Sequence, residues 1–151
     1  MEFIVEKAMS SMPQQEEFDQ VGQANIRVIG VGGAGNNMVG WLYKKGIKGA
    51  EIIATNTDHQ HLNITGADRK FLIGKDCTRG LGCGGFPSRG AEAAQESLAL
   101  LKESLKASDM VFVCAGMGGG TGTGAAPVVA QVAKDTGSIV IGTVTMPFNI
   151  E

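Results

Sequence analysis

The sequence predicts a doubly wound α/β fold, in which helices cover both faces of a parallel β-sheet. Short apolar segments alternate with segments whose apolar residues recur every three or four positions, which is the pattern of strands followed by amphipathic helices. Glycine-rich turns follow the first and the fourth strand, and glycine makes up 23 of the 151 residues. Right-handed crossovers favour the strand order 3-2-1-4-5, which places both turns at one edge of the sheet.

The expected strands are the five apolar runs at residues 25–31, 51–55, 69–73, 109–115 and 138–146. We expect a first helix after Asn37, with Met38, Leu42 and Tyr43 facing inward. The second helix is predicted as one long element from Pro87 to about Lys106. Its inward stripe is formed by Ala91, Ala94, Leu98, Leu101 and Leu105. A third helix is expected over residues 125–135, and a glycine-rich loop over residues 74–86.

Composition indicates one globular domain and excludes several classes of protein. Hydrophobic residues make up 43% and charged residues 19% of the chain, and the formal net charge is −2. We therefore expect no nucleic-acid partner and no membrane insertion. No signal peptide is visible, and Cys77, Cys83 and Cys114 lack metal-ligand spacing, so we expect reduced thiols in a cytoplasmic protein. Residues 1–24 form a polar extension, either flexible or a short helix, and the domain covers residues 25–151.

The richest glycine segment, residues 116–124, reads Gly-Met-Gly-Gly-Gly-Thr-Gly-Thr-Gly and lies between a buried strand and a helix. The first N–H groups of a helix lack intrahelical partners and carry partial positive charge, so such a turn can bind an anion. Thr121 and Thr123 add hydroxyl groups. The segment is not a Walker A loop, because no lysine lies between Lys106 and Lys134. A flexible linker is disfavoured by the flanking strand and helix.

A second glycine pattern, G-x-G-x-x-G at residues 30–35, also lies between a strand and a helix. Taken alone it favours an NAD(P)-binding domain of an oxidoreductase, with Asp58 on a ribose hydroxyl. That interpretation leaves the segment at 116–124 unexplained. Two phosphate-binding turns that face one crevice fit a nucleotide better than either turn alone would.

Residues 118–124 carry the glycine signature of the tubulin/FtsZ family, which the chain resembles over about residues 25–151. Further matching segments follow in family order at residues 30–37, 56–58, 80–87 and 147–151. The resemblance implies a tubulin/FtsZ-type GTPase domain that binds GTP or GDP with Mg²⁺. It also implies head-to-tail polymerisation with other copies of the chain into a cytoplasmic filament at the division site, in the company of other division-site proteins.

The resemblance further implies which residues bind the nucleotide. The loop at 32–37 would hold the phosphates and sugar, and the loop at 116–124 would hold the phosphates. Gly84 and Gly85 would approach the terminal phosphate, Glu151 would contact the ribose, and Asp58 would lie beside the site. The expected nucleotide-binding residues are Gly32, Gly33, Ala34, Gly35, Asn36, Asn37, Asp58, Gly84, Gly85, Gly116, Gly118, Gly119, Gly120, Thr121, Gly122, Thr123, Gly124 and Glu151. No side chain of the chain is expected to be catalytic or to ligate a metal directly.

Two features depart from the family pattern. Phe86 and Arg89 stand where we expect a small polar residue and a neutral or acidic one, and we interpret Arg89 as surface charge. The sequence also ends before the family's central helix, which reads guanine, its acidic loop and its second domain. That acidic loop orients the attacking water on the next subunit, so we expect this chain alone to hydrolyse GTP weakly or not at all. The remaining alternative is a non-catalytic partner that caps a filament.

Overall fold

A computed structural model describes residues 22–148. Within this range the chain forms five strands: β1 (Ile26–Val31), β2 (Ala50–Asn56), β3 (Arg69–Leu72), β4 (Met110–Gly116) and β5 (Ile139–Thr145). The helices in the same range are α1 (Gly32–Lys45), α2 (His59–Ile64), α3 (Lys75–Thr78), α4 (Pro87–Glu96), α5 (Leu98–Leu105) and α6 (Thr121–Asp135). Most of the extension expected at residues 1–24 lies outside the described residues.

The five strands form one sheet in the order β3-β2-β1-β4-β5. Every pairing is parallel, with Val28 of β1 opposite Ile52 of β2 and Phe112 of β4. The predicted fold class and strand order are therefore confirmed. The order puts β1 and β4 side by side at the centre, so that the turns after these two strands meet at the same edge.

Alternation along β1 divides the hydrophobic core between the two faces of the sheet. Ile29 and Val31 belong to a large cluster with residues of α5 and α6, whereas Val28 packs with Val39 of α1 in a smaller cluster. Because successive side chains of a strand point to opposite faces, one central strand contributes to both clusters. This arrangement explains why β1 reads as a continuous apolar run.

Helix α1 departs from the prediction at its start and in the orientation of Tyr43, and it ends at Lys45 before Gly46. It begins at Gly32 rather than after Asn37, so the glycines lie inside its first turn. Tyr43 was expected to face inward but is 45% exposed, whereas Met38 and Leu42 pack against the smaller core cluster as expected. The ring of Tyr43 lies beside Gly66, where an added Cβ would come within 2.8 Å of Cδ1. Tyr43 therefore covers the loop after α2 and does not enter the core.

The long helix predicted from Pro87 is two helices, α4 and α5, separated at Ser97. The hydroxyl of Ser97 accepts a hydrogen bond from the backbone N–H of Gly74 at 2.9 Å. A serine side chain that bonds to a neighbouring backbone competes with helical geometry, which explains the break. The expected stripe survives it, because Ala94, Leu101 and Leu105 are fully buried.

No helix within residues 22–148 is long and apolar enough to cross a bilayer. At one edge of the sheet, β5 is exposed along most of its length. The loop predicted at residues 74–86 contains the single turn α3, which the sequence pattern did not reveal.

Candidate nucleotide-binding site

Two helix N-termini open into one cavity at the carboxyl edge of the sheet. Helix α1 begins where β1 ends, and α6 begins four residues after β4. The cavity between them has a volume of about 590 Å³, which is within the usual size for a small-molecule site. Its walls are formed by Val31, Gly33, Ala34, Gly116, Met117, Gly119, Gly120, Thr121, Gly122, Thr145, Met146 and Phe148.

The electrostatic character of the cavity comes from the backbone. The first turns of α1 and α6 contain no acidic residue and no side-chain cap, so their N–H groups are directed into the crevice without a competing carboxylate. No charged side chain is among the lining residues of this part of the chain. Within residues 22–148, no group of three or more His, Cys, Asp or Glu residues is placed to hold a metal ion. The cavity therefore favours an anionic ligand.

The two threonine hydroxyls at the start of α6 are both engaged inside the protein. Thr123 Oγ1 accepts a hydrogen bond from the backbone N–H of Gly118 at 3.0 Å. Thr121 Oγ1 lies 2.7 Å from Thr57 Oγ1 and donates to the Sγ of Cys83 at 3.4 Å. The hydroxyls thus shape the turn, and the backbone N–H groups are the donors left for a ligand.

Most of the glycines around the cavity are required by packing. A Cβ on Gly35 would clash with the carbonyl oxygen of Cys114, and a Cβ on Gly122 would clash with that of Gly116. A Cβ on Gly116 would lie 2.6 Å from the Cβ of Ala34. Real Cβ atoms do not approach backbone this closely, so these glycines hold α1, β4 and α6 together whether or not a ligand binds.

Two glycines, Gly33 and Gly119, have no such reason to be glycine. A Cβ at either position would have no atom within 4 Å, and neither residue has a left-handed φ. Both are exposed, and both line the cavity, one from each turn. Because neither residue has a side chain, the backbone N–H groups at these positions are accessible from the cavity.

A third loop packs against the start of α6. A Cβ on Gly120 would lie 2.8 Å from the Cβ of Cys83 and 3.1 Å from the carbonyl carbon of Gly85. Gly84 and Gly85 have φ values of 61° and 80°, are exposed, and lie outside the cavity wall. The unexpected Phe86 is the 62% exposed N-cap of α4.

Arg89 is exposed, as expected of a surface charge, and it also contacts the protein. Its Nη2 donates to the carbonyl oxygen of Cys77 at 3.0 Å. Nearby, the carboxylate of Glu96 accepts the N–H groups of Asp76 and Cys77 at 3.0 and 3.1 Å, which lowers the pKa of Glu96. Burial, together with the hydrogen bond and charge of Glu96, raises the pKa of the Cys77 thiol to about 11. These contacts fix the short helix α3 against α4.

Three further predicted residues, Asp58, Asn36 and Asn37, are not among the residues that line the cavity. Asp58 Oδ1 accepts the N–H of His61 at 3.1 Å and caps α2. Asn36 is fully buried, and with its amide nitrogen assigned to the side that faces β1 and β2 it donates to the carbonyl oxygens of Gly30 and Thr55 at 3.1 and 3.3 Å. Asn37 is exposed and lines a separate cleft of about 270 Å³. Glu151 lies outside the described residues. Their contact with a nucleotide stays a prediction.

Some lining residues were missed by the sequence interpretation. Thr145, Met146 and Phe148 reach the cavity because β5 pairs with β4, with Thr145 opposite Gly116, and the chain continues from there along the cavity wall. The backbone N–H of Met117 donates to the carbonyl oxygen of Thr145 at 2.9 Å, which ties the two chain segments together. The sequence feature that could have indicated these lining residues was their position at the end of the last strand, and that position is not specific to binding sites.

Comparison with known proteins identifies the family to which this site belongs. A model of the GTPase domain of the tubulin/FtsZ family matches residues 25–151. The chain belongs to the tubulin/FtsZ family. This membership favours the interpretation based on residues 118–124 over the dinucleotide-binding interpretation based on residues 30–35.

Relatives within the tubulin/FtsZ family include archaeal proteins. The chain is 59% identical over 133 residues to cell division protein FtsZ 2 of Methanocaldococcus jannaschii, covering 88% of this chain and 35% of that protein. It is 57% identical over 126 residues to cell division protein FtsZ 1 of Archaeoglobus fulgidus, covering 83% of this chain and 34% of that protein. A solved FtsZ dimer from M. jannaschii superposes with a TM-score of 0.86 at 49% identity, over 92% of this chain and 42% of that one. The chain thus spans about a third of the length of these two relatives.

Proposed function

We propose that this chain is the nucleotide-binding part of a tubulin/FtsZ-type cell-division GTPase, and that GTP and GDP bind in the 590 Å³ cavity. The observation that carries the proposal is the pair Gly33 and Gly119. The fold gives neither residue a reason to lack a side chain, yet each lines the same cavity from a different phosphate-binding turn. A ligand that needs close access to both helix N-termini accounts for both glycines.

The phosphates lie, in this proposal, between the starts of α1 and α6. Backbone N–H groups of the first turn of each helix donate to the phosphate oxygens, and the two helix dipoles add partial positive charge. Gly84 and Gly85 lie beside the start of α6 through their contact with Gly120, which is a suitable place to approach a terminal phosphate. Asn37, Asp58 and Glu151 are proposed to flank the sugar and base.

Mg²⁺ is proposed to bind through the phosphate oxygens and water. The described residues form no acidic cluster for a metal, so the protein would hold the ion only indirectly. When bound, Mg²⁺ supplies positive charge that the cavity wall lacks. The chain's own residues bind and orient the phosphates.

Hydrolysis and assembly are proposed for the longer protein. No carboxylate lines the part of the cavity that residues 22–148 describe, so the group that orients the attacking water would come from outside these residues. Residues of a neighbouring subunit are the proposed source, which would make hydrolysis depend on head-to-tail assembly. The relatives' names, which describe cell division proteins and an FtsZ dimer, support a role in cell division and self-association, and we place the proposed filament in the cytoplasm at the division site.

Calorimetric titration of the purified chain with GTP in Mg²⁺ buffer tests the proposal, with ATP and NAD as competing ligands. We expect saturable GTP binding that NAD does not reproduce. Equal binding of ATP would mean that the cavity captures phosphates without selecting the base. Tight NAD binding with indifference to GTP would overturn the proposal in favour of a dinucleotide domain.

A further inference from the structure

The loop after β2, the turn at residues 82–86 and the start of α6 meet at a small cluster formed by Thr57 and Cys83, which are buried, and Thr121, which is half-buried. Thr57 follows β2 and is fully buried, and Cys83 is 3% exposed. Thr57 Oγ1 lies 2.7 Å from Thr121 Oγ1 and 3.4 Å from Cys83 Sγ, and Thr121 Oγ1 lies 3.4 Å from the same sulfur. The three side chains therefore form a closed triangle of polar contacts.

The donors and acceptors of this triangle match one for one. A hydroxyl or a thiol each carries one hydrogen and can also accept. If Thr121 donates to Cys83, Cys83 donates to Thr57 and Thr57 donates to Thr121, every group donates once and accepts once. Hydrogen bonds in such a cycle polarise and strengthen one another, and a buried cycle leaves no group unpaired.

The cluster joins the turn at residues 82–86 to the start of α6. The backbone N–H of Gly82 donates to the carbonyl oxygen of Thr57 at 3.1 Å, which attaches one end of the turn to the same residue. Across the cluster, Gly85 packs beside Gly120. Gly84 and Gly85 themselves are exposed and make none of the cluster's side-chain contacts. The position of the turn beside α6 therefore depends on Cys83.

We infer that Cys83, with Thr57 and Thr121, positions turn 82–86 beside the start of α6 and so sets how well the site distinguishes a nucleoside triphosphate from a diphosphate. The inference rests on the proposed function, because only the terminal phosphate reaches the turn in that arrangement. Cys83 acts through the backbone of Gly84 and Gly85 and does not touch the ligand. Loosening the cluster weakens binding of the triphosphate more than binding of the diphosphate.

The cluster of Thr57, Cys83 and Thr121 is tested without nucleotide. The measurement is the rate at which iodoacetamide alkylates each cysteine of the native chain, and peptide mass spectrometry resolves the cysteines from one another. Thr57→Val keeps the side-chain shape and removes the hydroxyl. We expect Cys83 to react about fivefold faster in this variant, the equivalent of one hydrogen bond, with Cys114 unchanged. Thr57→Ser keeps the hydroxyl and should leave the rate unchanged. Equal rates at Cys83 in Thr57→Val and the unaltered chain, or equal acceleration at Cys83 and Cys114, would overturn the inference.

Discrimination between triphosphate and diphosphate is tested by measuring the ratio of GTP to GDP affinity in the variants Cys83→Ala and Cys83→Ser. We expect Cys83→Ala to lower the ratio about fivefold and Cys83→Ser to restore it to within about twofold, because serine keeps the donor and acceptor. Cys114→Ala is the matched control, since it removes a buried thiol from β4 without touching the cluster. An equal ratio in Cys83→Ala and Cys114→Ala would overturn the inference. Failure of the unaltered chain to bind either nucleotide would instead overturn the proposed function.

Discussion

The two glycine-rich turns are built differently although both end in a helix N-terminus. β1 passes directly into α1, with Val31 as the N-cap and no intervening loop. Between β4 and α6 lie four residues, 117–120, and contacts with Thr145 and Thr123 fix this loop. The first turn therefore depends mainly on its own glycines, whereas the second is also fixed by the backbone of β5 and by the hydroxyl of Thr123.

Each turn nevertheless contains glycines of two kinds. Gly35 and Gly122 leave room for protein backbone, while Gly33 and Gly119 leave room only for solvent or a ligand. The number of glycines in a turn thus says little about binding. What distinguishes a ligand site is a glycine that packing does not require, and substitutions can separate the two kinds.

The largest effect is expected when a packing glycine is replaced. Gly35→Ala and Gly122→Ala each place a Cβ on a backbone carbonyl group that cannot move aside, and we expect a loss of about 3 kcal/mol or more in the free energy of unfolding. Denaturant unfolding followed by circular dichroism measures it. Gly33→Ala is the control and should be at least as stable as the unaltered chain. A Gly35→Ala protein as stable as Gly33→Ala would contradict this assignment.

Substitution of two neighbouring asparagines in the first turn should also affect stability differently. Asn36→Ala leaves the buried carbonyl oxygens of Gly30 and Thr55 without its amide donor, so we expect a loss of about 1–3 kcal/mol in unfolding free energy. Asn37→Ala removes an exposed side chain and should leave stability unchanged. The same unfolding experiment compares the two variants. Equal stabilities would show that Asn36 does not join β1 to β2.

Substitution of the glycines without packing partners should weaken nucleotide binding and leave stability unchanged. Gly33→Ala and Gly119→Ala are expected to weaken GTP binding about tenfold each, or about 1.4 kcal/mol, because the added methyl group obstructs access to the backbone N–H groups. Calorimetric titration measures the affinity, and unfolding confirms that stability is retained. Unchanged affinity in both variants would remove the main support for the proposed site.

The smallest effect concerns α3 in the loop at residues 74–86, which the side chain of Glu96 helps to hold in place. Glu96 accepts two backbone N–H groups of α3, and its pKa is lowered in the folded state. Its contribution is therefore present above the ordinary glutamate pKa of about 4.3 and is lost as pH falls through the lower folded value. We expect Glu96→Gln to lower the melting temperature slightly at neutral pH. A deficit that persists at pH well below the folded pKa would contradict a charge-based role.

The alternation of apolar and amphipathic segments was enough to predict the sheet, its strand order and the place where the turns meet. It was not enough to place the starts of α1 and α6, because the glycines of both turns are unfavourable for helices and yet lie inside first turns. It also missed the break at Ser97, since the partner of that hydroxyl is Gly74, which is distant in sequence.

The order of apolar segments and the two glycine patterns determine the fold and the location of the candidate site by themselves, because both follow from local periodicity and from the handedness of crossovers. Only the tertiary structure decides which residues surround the cavity. Asn36 and Asn37 are adjacent and chemically identical, yet one is buried between strands and the other is exposed. Cys83 and Thr57 acquire a shared role only because folding brings the loop after β2, the turn at residues 82–86 and the start of α6 within hydrogen-bonding distance. Such contacts join residues far apart in sequence, so no local pattern records them.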